Sequence, residues 1–160
     1  MKRLSVLVLS MTLFFQILHA EDRSSSRMRI INLDLNNCNV LRIFAHLWKD
    51  HALGETENGA WIVMNPDGLY QQIDWAFTPQ RHATTWSGVL PENIVAQLHT
   101  HSEHLDPKPS GPDSQIAKRL NITVYTVTRK GIWRVSPDGT ITREMEHNWF
   151  QDSVQRCGTE

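Results

Sequence analysis

The amino-acid sequence predicts an α/β domain, a mixed β-sheet flanked by helices. Three observations carry that prediction. Apolar residues recur at helical spacing between Asp34 and Ala52. β-rich runs flank two Pro-Asp-Gly turns, and a strand–helix–strand order fills residues 95–128. The 160 residues hold 16 Lys+Arg against 17 Asp+Glu, 40% hydrophobic residues and 2 cysteines. That length fits a single domain, and a net charge of -1 without a Lys/Arg block gives no footprint for nucleic acid.

Residues 1–20 read as a signal peptide. Lys2 and Arg3 precede an uncharged, mostly apolar run, Leu4 to Leu18, and Ala20 stands before Glu21-Asp22. The run falls short of the ~20 residues that a membrane-spanning helix needs, so no stable membrane insertion is expected after cleavage. Without Lys2 and Arg3 the remaining 140 residues carry 14 positive and 17 negative side chains, net -3. The expected location is secreted or periplasmic. In such an oxidising compartment an even, minimal cysteine count reads as one disulfide, Cys38–Cys157, with two unpaired thiols as the alternative.

A polar lead-in, 21–33, precedes the domain proper at 34–160. Val40, Leu41, Phe44, Leu47 and Trp48 place an amphipathic helix within 34–52, with Asn36 or Asn37 as its cap and Gly54 as its end. Ala60–Met64 and Leu69–Phe77 form a hairpin around Asn65-Pro-Asp-Gly68. Pro79 to Pro91 is irregular, and a helical turn is expected over Pro91–Val95. Val95–Thr100 reads as a strand, 102–109 as a loop, and Ser110-Gly-Pro-Asp113 as the start of a helix to Leu120. Ile122–Thr128 is strongly β, and Arg129-Lys130-Gly131 turns it into Ile132–Val135. Ser136-Pro-Asp-Gly139 then leads into Thr140–Arg143. The tail after Met145 is read as polar, with Trp149-Phe150 as a last contact. Asn121-Ile-Thr123 matches a glycosylation acceptor that opens a strand, where chance is the simpler account. Trp75, Trp86 and Trp133 could line a groove or simply pack.

His99-Thr-His101 carries the sharpest chemistry. Alternate strand residues share a face, so both imidazoles aim one way and can ligate Zn²⁺. A bare His-x-His also reads as two histidines on a half-exposed strand. Asp113, in the first turn of the following helix, can supply a third ligand. Ser110-x-x-Asp113 is equally a capping box. Glu55 and Glu57, just before the strand at Ala60, are the carboxylates available as a general base. There is no His-Glu-x-x-His and no Cys-x-x-Cys, which removes two other zinc classes.

In order, Glu57, His99-Thr-His101 and Ser110-x-x-Asp113 resemble the signature of the JAMM (JAB-domain) zinc metalloproteases, Glu…His-x-His…Ser-x-x-Asp. Glu57-Asn-Gly-Ala-Trp-Ile62 with Asp67-Gly-x-Tyr70 is especially similar to bacterial JAB-related domains, and the likeness runs from about residue 37 to 143. The loop before Ser110 holds eight residues, 102–109, where the family has seven, and Ser102 stands where the family has Pro. His104 and Asp106 in that loop are substitute ligands.

The resemblance implies a JAB/MPN-like (cytidine-deaminase-like) architecture and a hydrolase. His99, His101 and Asp113 would hold Zn²⁺, Glu57 would act as general base, and Ser110 would donate to the oxyanion. The implied activity is metal-dependent cleavage of a peptide or isopeptide bond in a peptide or protein substrate. A non-catalytic, partner-binding JAMM-like module and a toxin- or effector-associated module are the alternatives. Glu57 is preferred to Glu55 because Glu57-x-Gly59 matches the relatives' entry into the first hairpin.

Overall fold

The computed structural model describes residues 30–51, 56–76 and 84–158. The leader, most of the lead-in, Gly54 and Glu55 lie outside them. The architecture is α/β, with three helices and one mixed six-stranded sheet.

Helix α1 spans Cys38–His51. Its stripe of Val40, Leu41, Phe44 and Leu47 is buried, as the spacing requires, and Val40, Phe44 and Leu47 join the core over the sheet. It begins four residues later than Asp34, because Asp34 ties down its own turn. Its carboxylate accepts the Asn36 N–H and its carbonyl accepts the Asn37 N–H. Asn37 then caps the helix, its side-chain oxygen taking the Asn39 N–H at 2.9 Å.

Strands β1 (Gly59–Met64) and β2 (Tyr70–Asp74) form the first hairpin. Gly68 turns it at φ +78°, and Asn65 holds it through the Leu69 and Gly68 N–H groups. β2 stops at Asp74, three residues before Phe77. Strand β3 (Ile94–Thr100) pairs antiparallel with β1. No helical turn precedes it. Asn93 sits left-handed at φ 57° and its carbonyl accepts the Met64 N–H, so the chain enters the strand from a turn.

Helix α2 (Gly111–Leu120) carries the chain to β4 (Thr123–Thr128), which lies parallel to β3. Asn121, left-handed at φ 54°, ends the helix. β5 (Gly131–Val135) and β6 (Ile141–Met145) add antiparallel strands, giving the order β2-β1-β3-β4-β5-β6.

The tail is a helix, not a polar extension. Helix α3 spans Trp149–Cys157. Trp149 is 1% exposed, and its indole N–H donates to the Thr128 carbonyl at 2.8 Å. Cys157 is disulfide-bonded to Cys38, closing a loop of sequence separation 119. Arg42 donates to the Cys157 carbonyl and Arg156 to the Leu35 carbonyl, so both helix ends are tied together.

The helices divide the sheet's faces. α1 and α3 cover one face, where Phe44 meets Tyr125 edge-on at 5.3 Å among Leu98, Val127 and Ile132. α2 covers part of the other through Ala117 on Val124 and Val135. Beside it Trp61, Trp75 and Trp86 pack on one another, with ring centroids 5.0 to 6.3 Å apart. The open strip between α2 and these tryptophans is the cleft that holds the histidines. No described helix is long and apolar enough to cross a membrane.

Candidate metal centre

The carboxyl end of a parallel strand in an open α/β sheet is where side chains from a strand and the next helix can converge. β3 ends that way. His99 is its penultimate residue, and His101 follows it, held in line by donating its N–H to the Val127 carbonyl at 3.1 Å. Thr100 points to the opposite face, so both imidazoles enter the cleft. Their Nε2 atoms lie 3.0 Å apart.

Three groups meet there. Ligand atoms of His99, His101 and Asp113 lie within 4.8 Å of one another, and all three residues are buried. This is the one group of three or more potential metal ligands among the described residues, and it is close enough to hold a metal ion. The loop 102–109 is anchored beside it. Thr126 donates its hydroxyl to the Pro107 carbonyl at 2.8 Å, fastening the loop to β4.

That loop fixes a tautomer. His101 Nδ1 lies 2.7 Å from the Asp106 carbonyl, which can only accept, so the proton sits on Nδ1 and the Nε2 lone pair faces the cluster. Burial pushes the His101 pKa below its ordinary value, and the neighbouring His99 adds to that shift against the Asp106 contact. The ring therefore stays neutral, as a metal ligand must be.

Asp113 caps the helix with one oxygen and keeps the other available to the site. Its Oδ2 accepts the Ser110 N–H at 2.6 Å and the Ser110 hydroxyl at 2.5 Å. Oδ1 is left facing the site, 3.4 Å from His99 Nε2. Burial raises the pKa of this carboxyl, but the hydrogen bond and charge of His99 and the bonds from Ser110 outweigh it. The group is held well below the usual carboxylate range. Two imidazole nitrogens and one carboxylate oxygen suit a divalent cation.

Glu57 is buried, 7% exposed, and lines the same cleft. Asn58 pins it there. The Asn58 N–H donates to Thr100 Oγ1 and the Asn58 carbonyl accepts the Thr100 N–H, each at 2.9 Å. Gly59 is paired with His99, so the same register two residues earlier brings Glu57 level with His101. The cleft encloses about 540 Å³ among Glu57, Trp75, Gln97, His99, His101 and Asp113, with Ser110 at its exposed rim.

The substitute ligands do not enter the cluster. Asp106 lines the cleft but spends its carboxylate on the Lys108 N–H, and His104 is exposed. Of the tryptophans, Trp75 walls the cleft, Trp86 packs on it, and Trp133 lies under Lys108 and Arg143.

Two further groups at the cleft belong to no motif. The Asp106 carbonyl is a backbone group, which leaves no mark in a sequence. Gln97 was legible: it stands two residues before His99, so the same alternation puts it on the cleft face of an otherwise apolar run. It is 2% exposed, and its Oε1 has no hydrogen-bond partner; neither has His99 Nδ1. Comparison with known proteins finds no match, whether to a family model, a curated protein or a solved structure.

Proposed function

We propose that the chain is an exported, zinc-dependent metallopeptidase or isopeptidase of JAMM type, with a JAB/MPN-like fold, that hydrolyses an amide bond. One observation carries the reading: two histidines and an aspartate converge with a buried glutamate in one cleft. Export draws support from the leader-like residues 1–20 and from the disulfide, which suits an oxidising compartment.

His99 Nε2, His101 Nε2 and Asp113 Oδ1 would hold the zinc. The ion would lower the pKa of water toward about 7 and polarise the scissile carbonyl. Glu57 takes the proton of the attacking water and returns it to the leaving amine. Ser110 supplies a donor to the oxyanion. Its hydroxyl must first leave Asp113 Oδ2, which keeps the Ser110 N–H as a partner.

That engagement of the Ser110 hydroxyl also favours a second reading, a partner-binding module of the same build that does no chemistry. Metal content and one variant separate the two. The peptidase reading expects one zinc per chain and hydrolysis within a mixed pool of linear and Lys-branched peptides, read by mass spectrometry. Glu57→Gln should retain the zinc and the melting temperature and lose about 10²- to 10⁴-fold in rate. A folded chain that takes up no zinc when it is supplied excludes the enzyme.

A further inference from the structure

Among the buried, unpartnered side-chain atoms of the cleft, two on β3 differ in kind. Gln97 Oε1 can only accept a hydrogen bond, and it is the one oxygen among the unpartnered buried side-chain atoms of the described residues. His99 Nδ1 is the other. Both residues lie on the same face of β3, two positions apart, a separation of about 6.6 Å that a glutamine side chain and one hydrogen bond to the imidazole together can bridge.

The two ligand histidines are unequal in this respect. His101 already donates its Nδ1–H to a carbonyl, that of Asp106. His99 Nε2 faces His101 and Asp113. If His99 Nε2 ligated a cation through its lone pair, the His99 proton would sit on Nδ1, where it would be buried and need an acceptor. Metal-ligating imidazoles donate that second N–H to a carboxylate, a carbonyl or a water.

Resting on the metal-centre part of the proposed function, we infer that Gln97 is the positioning residue of His99, its side-chain carbonyl accepting the Nδ1–H when the site is loaded. The competing donors are the indole N–H groups of Trp61, which stands opposite Gln97 in the β1–β3 register, and of Trp75, which lines the same cleft; both lack an acceptor. Each indole presents the same N–H with or without metal, so a role toward either is structural. A role toward His99 appears in metal affinity.

Zn²⁺ and Co²⁺ affinities of the full chain, measured by chelator competition, test this without any substrate. Gln97→Met keeps the volume and removes the acceptor; it should weaken binding about 10- to 100-fold while the metal-free protein melts no lower. Gln97→Glu restores an acceptor and should recover affinity to within a few-fold of the original. In spectra of ¹⁵N-histidine-labelled, zinc-loaded protein, the His99 Nδ1–H should exchange slowly in the parent chain and rapidly in Gln97→Met. Tight zinc binding that Gln97→Met leaves within about two-fold overturns this inference alone, and a lowered metal-free melting point in that case assigns Gln97 to the neighbouring indoles. Failure of the parent chain to bind either ion overturns the metal centre and this inference together.

Discussion

Gly59→Ala should destabilise the protein, against the ordinary expectation for a strand glycine. Gly59 does not adopt a left-handed conformation, so alanine is permitted by the backbone and would normally gain about 0.5–1 kcal/mol. The neighbours reverse the sign. A methyl group built on Gly59 meets two carbons of the Trp75 ring at 2.6 and 2.8 Å and a methyl of Thr84 at 3.2 Å. The first two lie about 1 Å inside the ~3.5–4.0 Å of a favourable carbon contact. β1 cannot retreat, being hydrogen-bonded to β2 on one side and β3 on the other. Trp75 must therefore move, and it is packed on Trp61 and Trp86. Overpacking of this kind costs about 1–3 kcal/mol, which leaves a net loss of up to about 2.5 kcal/mol after the backbone gain. Urea denaturation measures the loss, and near-ultraviolet circular dichroism reports the displaced indole. In a Trp75→Leu background the conflict largely disappears, so the same Gly59→Ala change should become neutral or stabilising. An equal loss in both backgrounds would refute the argument, as would stabilisation in the parent chain.

Replacing both Cys38 and Cys157 by serine opens a loop of sequence separation 119 and should cost up to about 4.9 kcal/mol in urea denaturation; an unchanged midpoint would contradict the chain-entropy account. Tyr125 is buried, and burial pushes its phenol up to about 12 while the Leu33 N–H bonded to its oxygen pulls the other way. A folded pKa above the unfolded one means that stability is complete below pH ~10 and lost as pH climbs toward 12, by about 2.7 kcal/mol. Tyr125→Phe should abolish that alkaline loss, at a cost near neutral pH of about 1–3 kcal/mol for the orphaned Leu33 N–H. Persistence of the same alkaline slope in Tyr125→Phe would assign it to another group.

Much of the scaffold was legible because its signals are local. The 3.6-residue recurrence of Val40, Phe44 and Leu47, the two Pro-Asp-Gly turns and the β-branched run of 122–128 each report their own segment. α3 was missed for the same reason. Its buried side of Trp149 and Ser153 is too short and too polar to stand out, and it forms because α1 and the β4–β5 turn receive it. The expected helical turn before β3 is replaced by a left-handed turn at Asn93, whose carbonyl accepts the Met64 N–H of β1.

By itself, the sequence determined that His99 and His101 share a face, that Asp113 opens a helix and that Glu57 enters a strand, because side-chain direction follows from the period of each element. Only the tertiary structure decided how those groups are used. Burial against β3 brings Glu57 into the cleft, while Glu55 lies outside the described residues. The Asp106 carbonyl selects the His101 tautomer, and Ser110 takes one oxygen of Asp113 and leaves the other to the site. These outcomes depend on where backbone carbonyls and N–H groups come to rest across a loop and two elements. Every residue carries such groups, so no residue type announces them, and their positions exist only once the chain is folded.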